Sequence, residues 1–372
     1  MIFGRLHLLK KAYFLFVSTA ELLMVSWLAG AASLPEVLSE VRSNLLADFA
    51  PKVPGLSVAV GQDGKIIWSE GFGFADLEAK KPVTPQTMFR IGSVSKPLAA
   101  AGLMLLVEKG KVELDVDIHR YVPDFPDKGY PITTRQLAGH LAGIRHYRGN
   151  EVYLNRHFVN VREGLRIFEN DPLLFVPGEK YSYSSYGFNL ISMVMEAAAG
   201  KDFLSYMASD VFTPLGMTNT EPDDATRVIA QRTLFYKAKA SGGFELEPAV
   251  DNSYKWASGG FLSTPEDLVR FGSALLQPGF LTHDTLNALL TPQKTSDGKE
   301  TGYGIGWEIT KDKNGHLIWM HTGGSVGGTT ILLIRPDVRI VLAITANCTD
   351  SPLSKNHPAA IVETFSALFD PK

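Results

Sequence analysis

The sequence predicts an α+β fold: an antiparallel sheet flanked by helices, with a mostly helical insertion between the two stretches of chain that build the sheet. Three observations carry this expectation. A hairpin signal lies near the start, helical patterns dominate the middle, and apolar strands followed by a helix fill the last third. Strands at both ends with helices between them imply that the ends meet in one sheet. On this reading residues 34–372 form one folded unit, with the sheet in 34–115 and 255–372 and the helical part in 116–254.

The elements follow in chain order. Leu34–Phe49 reads as a helix, stopped by Pro51 and Pro54. Leu56–Val60 alternates as a strand does, Gln62-Asp63-Gly64 is a hairpin turn, and Lys65–Glu70 is the return strand. Asp-Gly supplies the positive φ that such turns need. From Ser93 to Lys109 the pattern is helical, with Leu98, Gly102, Leu103, Leu105 and Leu106 on or near one face. Pro97 falls inside that pattern and is tolerated only in a first turn, so the helix is expected to begin near Ser93. Val161–Asn170, Phe188–Ala198 and Phe203–Val211 are the clearest helices of the middle. Leu317–Met320, Thr329–Ile334 and Val338–Ala346 read as strands, joined by the Gly-rich run 323–328 and the turn Arg335-Pro336-Asp337. His357–Phe369 is a closing helix.

Composition narrows the function classes. Lysine and arginine number 36 against 39 acids, a net charge of −3, which argues against a nucleic-acid partner. Cys348 is the only cysteine, so there is no intrachain disulfide and no thiolate metal site. It follows an apolar run and reads as a buried structural thiol. The nine histidines form no H-E-x-x-H pair, and neither metal nor organic cofactor is expected. The N-terminus is distinct. Arg5, Lys10 and Lys11 precede the apolar stretch Ala12–Leu28, and small residues follow through Ser33. That is the pattern of a secretory signal, interrupted by Glu21, yet the stretch is also long enough for a retained anchor. A periplasmic or secreted protein, or one attached to a membrane through residues 1–33, is expected.

Three segments carry chemistry. Ser93 and Lys96 are three apart and share a helix face. A serine hydroxyl becomes a nucleophile when a base takes its proton, and a lysine is such a base where burial disfavours its charge. Read alone, the pair is also what a serine cap and a solvated lysine look like. Tyr183 and Ser185 lie in a polar, aromatic loop before a helix, where a tyrosine hydroxyl beside a buried lysine can relay protons. Alternatively, Ser184 or Ser185 is only the helix cap. His321-Thr322-Gly323-Gly324 sits at a strand edge, where glycines admit a ligand close to the backbone.

In this order, Ser93-x-x-Lys96, Tyr183-x-Ser185 and His321-Thr322-Gly323 resemble the motif set of the serine β-lactamase and penicillin-binding-protein superfamily. The class C-like branch, with family VIII esterases, D-aminopeptidases and LACTB-like proteins, is the most similar. Supporting segments are Phe89–Gly92, Ile132–Leu137, Gly143–Tyr147, Gly259–Thr264 and Tyr303–Trp307. The resemblance implies a β-lactamase-like fold and acylation of Ser93, with Lys96 and Tyr183 sharing general-base and general-acid work. It also implies oxyanion-hole amides from Ser93 and Gly324, and substrate contacts from Ser185, His321, Thr322 and Gly323. His321 stands where the family has lysine, and Ser185 where it has asparagine. Both departures weaken recognition of a β-lactam and favour a small ester, amide or peptide substrate. Self-association, or a scaffold with little catalysis, is the alternative such relatives suggest. A rival motif, Gly323-Gly324-Ser325-Val326-Gly327, matches the G-x-S-x-G elbow and would make Ser325 the nucleophile. It is disfavoured because strand-like residues follow it rather than a helix.

Overall fold

The computed structural model describes residues 33–49, 52–354 and 357–369. The stretch read as a signal or anchor lies outside them, apart from Ser33. Among the described residues no helix is long and apolar enough to cross a membrane.

Seven strands form the main sheet: β1 (Gly55–Gln62), β2 (Lys65–Asp76), β3 (Lys81–Pro82), β4 (Glu308–Lys311), β5 (Leu317–Ser325), β6 (Gly328–Arg335) and β7 (Ile340–Ala346). Their spatial order is β3-β2-β1-β7-β6-β5-β4. The two ends of the chain therefore meet at the centre, where β1 pairs antiparallel with β7 from Leu56 opposite Ala346 to Gln62 opposite Ile340. The β1–β2 turn is as expected: Asp63 and Gly64 have φ of 51° and 80°, two successive positive values.

The central strands are buried on both faces, so their period of two sorts side chains between two cores rather than between core and water. On one face Val58, Val60, Ile331, Leu333, Leu342 and Ile344 pack under helices α1 (Leu34–Phe49) and α5 (His357–Phe369). On the other, Ala59, Leu332, Ile334, Val341 and Ala343 meet α2 (Ser95–Glu108) and α4 (Pro265–Leu275). This explains why Leu56–Val60 looks alternating yet is buried throughout.

Helix α2 departs from the one-faced pattern expected of it: every residue from Ser95 to Met104 is buried, because α2 is the central helix between the sheet and the helices of the middle segment. That segment contains α3 (Ser185–Ala199), a short helix at Val161–Leu165, and Phe203–Tyr206 running into a π-helical turn at Met207–Phe212. Two expected helices are thus shorter or altered in winding. Short strands at Phe89–Arg90, Glu221–Pro222 and Phe261–Ser263 form a separate patch that ties the residues before Ser93 to the middle of the chain. Cys348 is buried, and burial pushes its thiol up to about 11.

The outer layer depends on Phe365, which is fully buried and stacks on Trp68 of β2 at 6.1 Å. Phe365→Ala is expected to cost about 3–5 kcal/mol, read as a lower denaturation midpoint.

Candidate active site

Chain entry into α2 builds the centre of the site. Gly92–Val94 is a single 3-10 turn, and α2 begins at Ser95. Pro97 therefore falls in the first helical turn, as its missing amide requires. Strand β5 presses against this turn. Gly92 has φ of 50°, and a Cβ there would stand 2.5 Å from the Gly324 carbonyl oxygen. A Cβ on Gly323 would lie 2.0 Å from the Ile91 carbonyl oxygen. Gly323 is thus a glycine because backbone meets backbone, whereas Gly324 faces open space. The edge is free here because β4 pairs with β5 only over Leu317–Met320.

Lys96 has no exposed surface. Its Nζ donates to Ser93 Oγ at 2.9 Å, to Ser185 Oγ at 3.1 Å and to the Ser258 carbonyl at 2.9 Å. Burial, seconded by the nearby charge of Lys255, holds the amine well below the usual lysine range. The Tyr183 ring lies 4.7 Å from the same nitrogen. Burial pushes the Tyr183 phenol up, opposed by a hydrogen bond with Ser93, so the hydroxyl keeps its proton at neutral pH.

Ser184, not Ser185, caps α3: its hydroxyl accepts from the Gly187 amide. Ser185 is left free to accept from Lys96, and its own amide donates to His146 Nδ1 at 3.1 Å. Burial and the charges of Lys96 and Lys255 lower His146 to about 4.

His321 is placed differently from a substrate-contacting group. It is 1% exposed, its Nε2 accepts from the Tyr303 hydroxyl at 2.8 Å, and its Nδ1 donates to the Thr322 carbonyl at 2.6 Å. Burial first, and Lys96 second, lower it to about 3, so the ring is neutral. Thr322 is half-buried and Gly323 is buried against Ile91, leaving Gly324 as the exposed member of the run.

A cleft of about 290 Å³ opens over these groups, and its lining includes Ser93, His146, Tyr147, Ser185, Ser258 and Gly324. Ser93, Lys96, Tyr183, Ser185 and Gly324 are thus brought together, while His321 lies behind them. The chain reading missed Lys255, Ser258 and Tyr303. The last two lie in or beside segments it had noted, Gly259–Thr264 and Tyr303–Trp307. Lys255 carried no motif. The rival nucleophile Ser325 ends β5 and pairs with Gly328 in a tight hairpin, so no helix follows it and no elbow forms. Among the described residues no group of three or more His, Cys, Asp or Glu is placed to hold a metal ion.

The Beta-lactamase family model matches residues 43–364. The chain is 33% identical to the mitochondrial serine beta-lactamase-like protein LACTB of Homo sapiens, over 76% of this chain and 69% of that protein. It is 27% identical to a penicillin-binding protein of Bacillus subtilis (strain 168), over 78% and 67%. Among solved structures, the octameric penicillin-binding protein homologue from Pyrococcus abyssi superposes with a TM-score of 0.74 at 25% identity, covering 91% of this chain and 77% of that one.

The histidines make the fold sensitive to acid. An unfolded imidazole takes up a proton below its ordinary value of 6.5, but folded His321 does not until about 3. Stability is therefore present above pH 6.5 and is lost as pH falls towards 3. His321 alone should remove about 2 kcal/mol between pH 7 and pH 5. Denaturation at the two pH values measures the loss, and the His321 ring nitrogens should keep neutral-imidazole NMR shifts at pH 5.

Proposed function

The chain belongs to the beta-lactamase family, and from that premise we propose that it is a serine hydrolase that cleaves an ester or amide through an acyl-enzyme on Ser93. The observation that carries this reading is the 2.9 Å contact between Ser93 Oγ and an amine with no exposed surface, held well below its ordinary pKa. Once uncharged, the amine keeps two N–H bonds for Ser185 and the Ser258 carbonyl and has a lone pair to accept the Ser93 proton. Lys96 is accordingly the base, and Tyr183, which holds its proton, is the relay towards the leaving group.

Ser93 Oγ attacks the carbonyl carbon and its proton passes to Lys96. The developing oxyanion lies at the Ser93 and Gly324 amides, beside the N-terminus of α2. Collapse breaks the bond to the alcohol or amine, which leaves with a proton delivered from Lys96 by way of Tyr183. Water then attacks the acyl-enzyme, Lys96 takes its proton, and the acid departs as Ser93 is regenerated. Hydrolysis of β-lactams is the less favoured activity. His321 is neutral and buried, and the Ser185 hydroxyl already accepts from Lys96, so neither resembles the charged or amide group each replaces. A scaffold role would not require the buried amine on Ser93. Self-association is a separate proposal, supported by the octameric relative; light scattering of the purified chain tests it. Export or membrane attachment through residues 1–33 is likewise our reading of that segment.

With a short-chain nitrophenyl ester, Ser93→Ala should abolish turnover and the burst of acyl-enzyme, while Ser325→Ala keeps both. Lys96→Ala should lower kcat by about 10²–10⁴, with no rescue by Lys96→Arg, since a guanidinium does not act as a base. Wild-type kcat/KM should rise with pH as the Lys96 ammonium loses its proton, on a limb below the usual lysine range. Full activity in Lys96→Ala would remove the proposed base.

A further inference from the structure

Lys255 is a second buried lysine at the same cleft, and the mechanism above does not use it. It directly precedes the short helix Trp256–Gly259, whose Ser258 carbonyl holds Lys96. Its side chain is 5% exposed and lines the cleft with Ser93 and Gly324. Among the described residues its ammonium has no hydrogen bond and no ion pair. The rings of Tyr147 and Tyr254 lie 5.6 and 5.3 Å from its nitrogen.

The nearby acid, Asp223, forms no ion pair with it among the described residues. Asp223 accepts from Arg90 Nε at 2.6 Å, from Asn252 Nδ2 at 2.7 Å and from Arg232 Nη1 at 3.2 Å, so its charge is shared with two arginines. Among the described residues the one acid lining the cleft, Asp350, is exposed. Most of the side chain is buried, but its ammonium opens on the cleft with hydrogen-bonding capacity that no protein group among the described residues fills. A carboxylate arriving in the cleft would satisfy it with charge-assisted hydrogen bonds.

We propose that Lys255 is the specificity-determining cation of this site, and that the preferred substrates are esters or amides bearing a free carboxylate close to the scissile carbonyl, as peptides and dicarboxylic half-esters do. The proposal rests on the acyl-enzyme reading and adds to it the substrate class. It also gives the cleft the positive charge that neutral His321 does not provide.

The groups facing Lys255 set its pH behaviour. Burial lowers it to about 7, with Arg90 reinforcing the shift and Asp223 opposing it. His146 is neutral above about 4, and burial keeps the Tyr147 and Tyr254 phenols protonated. Lys96 titrates too, but its ionisation acts on every substrate and cancels in a ratio of substrates. The preference for a charged substrate should therefore fall as pH rises through about 7, while the substrate carboxylate stays ionised.

The test compares kcat/KM for two matched pairs: the mono-nitrophenyl ester of glutaric acid against nitrophenyl butyrate, and 3-acetoxybenzoate against phenyl acetate. They place the carboxylate on the acyl and the leaving side respectively. The wild type should prefer the charged member of at least one pair, and that ratio should decline from about pH 6 to about pH 9. Lys255→Met should lower the ratio about tenfold to a hundredfold. Lys255→Arg should restore most of it, because arginine replaces a charge but not a base. No preference for either charged member, a ratio flat with pH, or an unchanged ratio in Lys255→Met would overturn the proposal. The wild-type pH series decides the matter even if Lys255→Met does not fold. Turnover retained by Ser93→Ala would instead sink the acyl-enzyme reading, and the substrate class with it.

Discussion

Withdrawing a lysine amine from water forfeits hydration worth several kcal/mol, and Lys96 is withdrawn completely. Among the described residues three oxygens replace that water: the hydroxyls of Ser93 and Ser185 and the carbonyl of Ser258. They come from three distant parts of the chain, the α2 entry, the start of α3 and the short helix at Trp256–Gly259. The sheet, the middle helices and the segment before α4 must all be in place before the amine is satisfied. In the proposed mechanism stability and catalysis are therefore joined at one atom. The same burial that makes the amine expensive to place also weakens its hold on a proton.

Charge around Lys96 is arranged to keep that hold weak. Lys255 adds repulsion to desolvation, and among the described residues no carboxylate forms an ion pair with either lysine. Three imidazoles surround the site, His140, His146 and His321, and all are held neutral, in each case by burial first. They serve as hydrogen-bonding and packing groups. His140 Nδ1 and His146 Nδ1 accept the amides of Ser184 and Ser185, which aligns the first turn of α3, and the His140 ring packs 4.3 Å from Tyr183. His140 adopts φ of 60°, a strained value for a residue with a side chain. The surroundings of that ring hold it where Tyr183 is positioned.

Local chemistry was legible in the chain. Proline limits, the Asp63-Gly64 turn and apolar runs marked Leu34–Phe49, the β1–β2 hairpin and His357–Phe369 because each signal is carried by neighbouring residues. Ser93 and Lys96 were legible for the same reason, since one helical turn sets their relation. The rest depended on partners far along the chain. His321 looked like a group facing substrate, yet Tyr303, on a separate segment, takes its ring and turns it inward. Gly323 looked like room for a ligand, yet the room is filled by Ile91. Lys255 had no motif because its meaning comes from what surrounds it: a cleft wall, two aromatic rings and an acid shared with two arginines.

Lys96 and Lys255 are the same residue type, both deeply buried and both shifted downward, and they are suited to opposite work. Burial alone does not separate them. Lys96 has its hydrogen-bonding capacity filled by fixed oxygens, one of them the hydroxyl of Ser93, which in the proposed mechanism gives it a proton. Lys255 has that capacity open towards the cleft, so its charge is available to whatever enters. The distinction lies in the surroundings: burial and Lys255 weaken the hold of Lys96 on a proton beside the Ser93 hydroxyl, which suits it to the proposed base role, whereas Lys255 has no acceptor among the described residues and opens on the cleft.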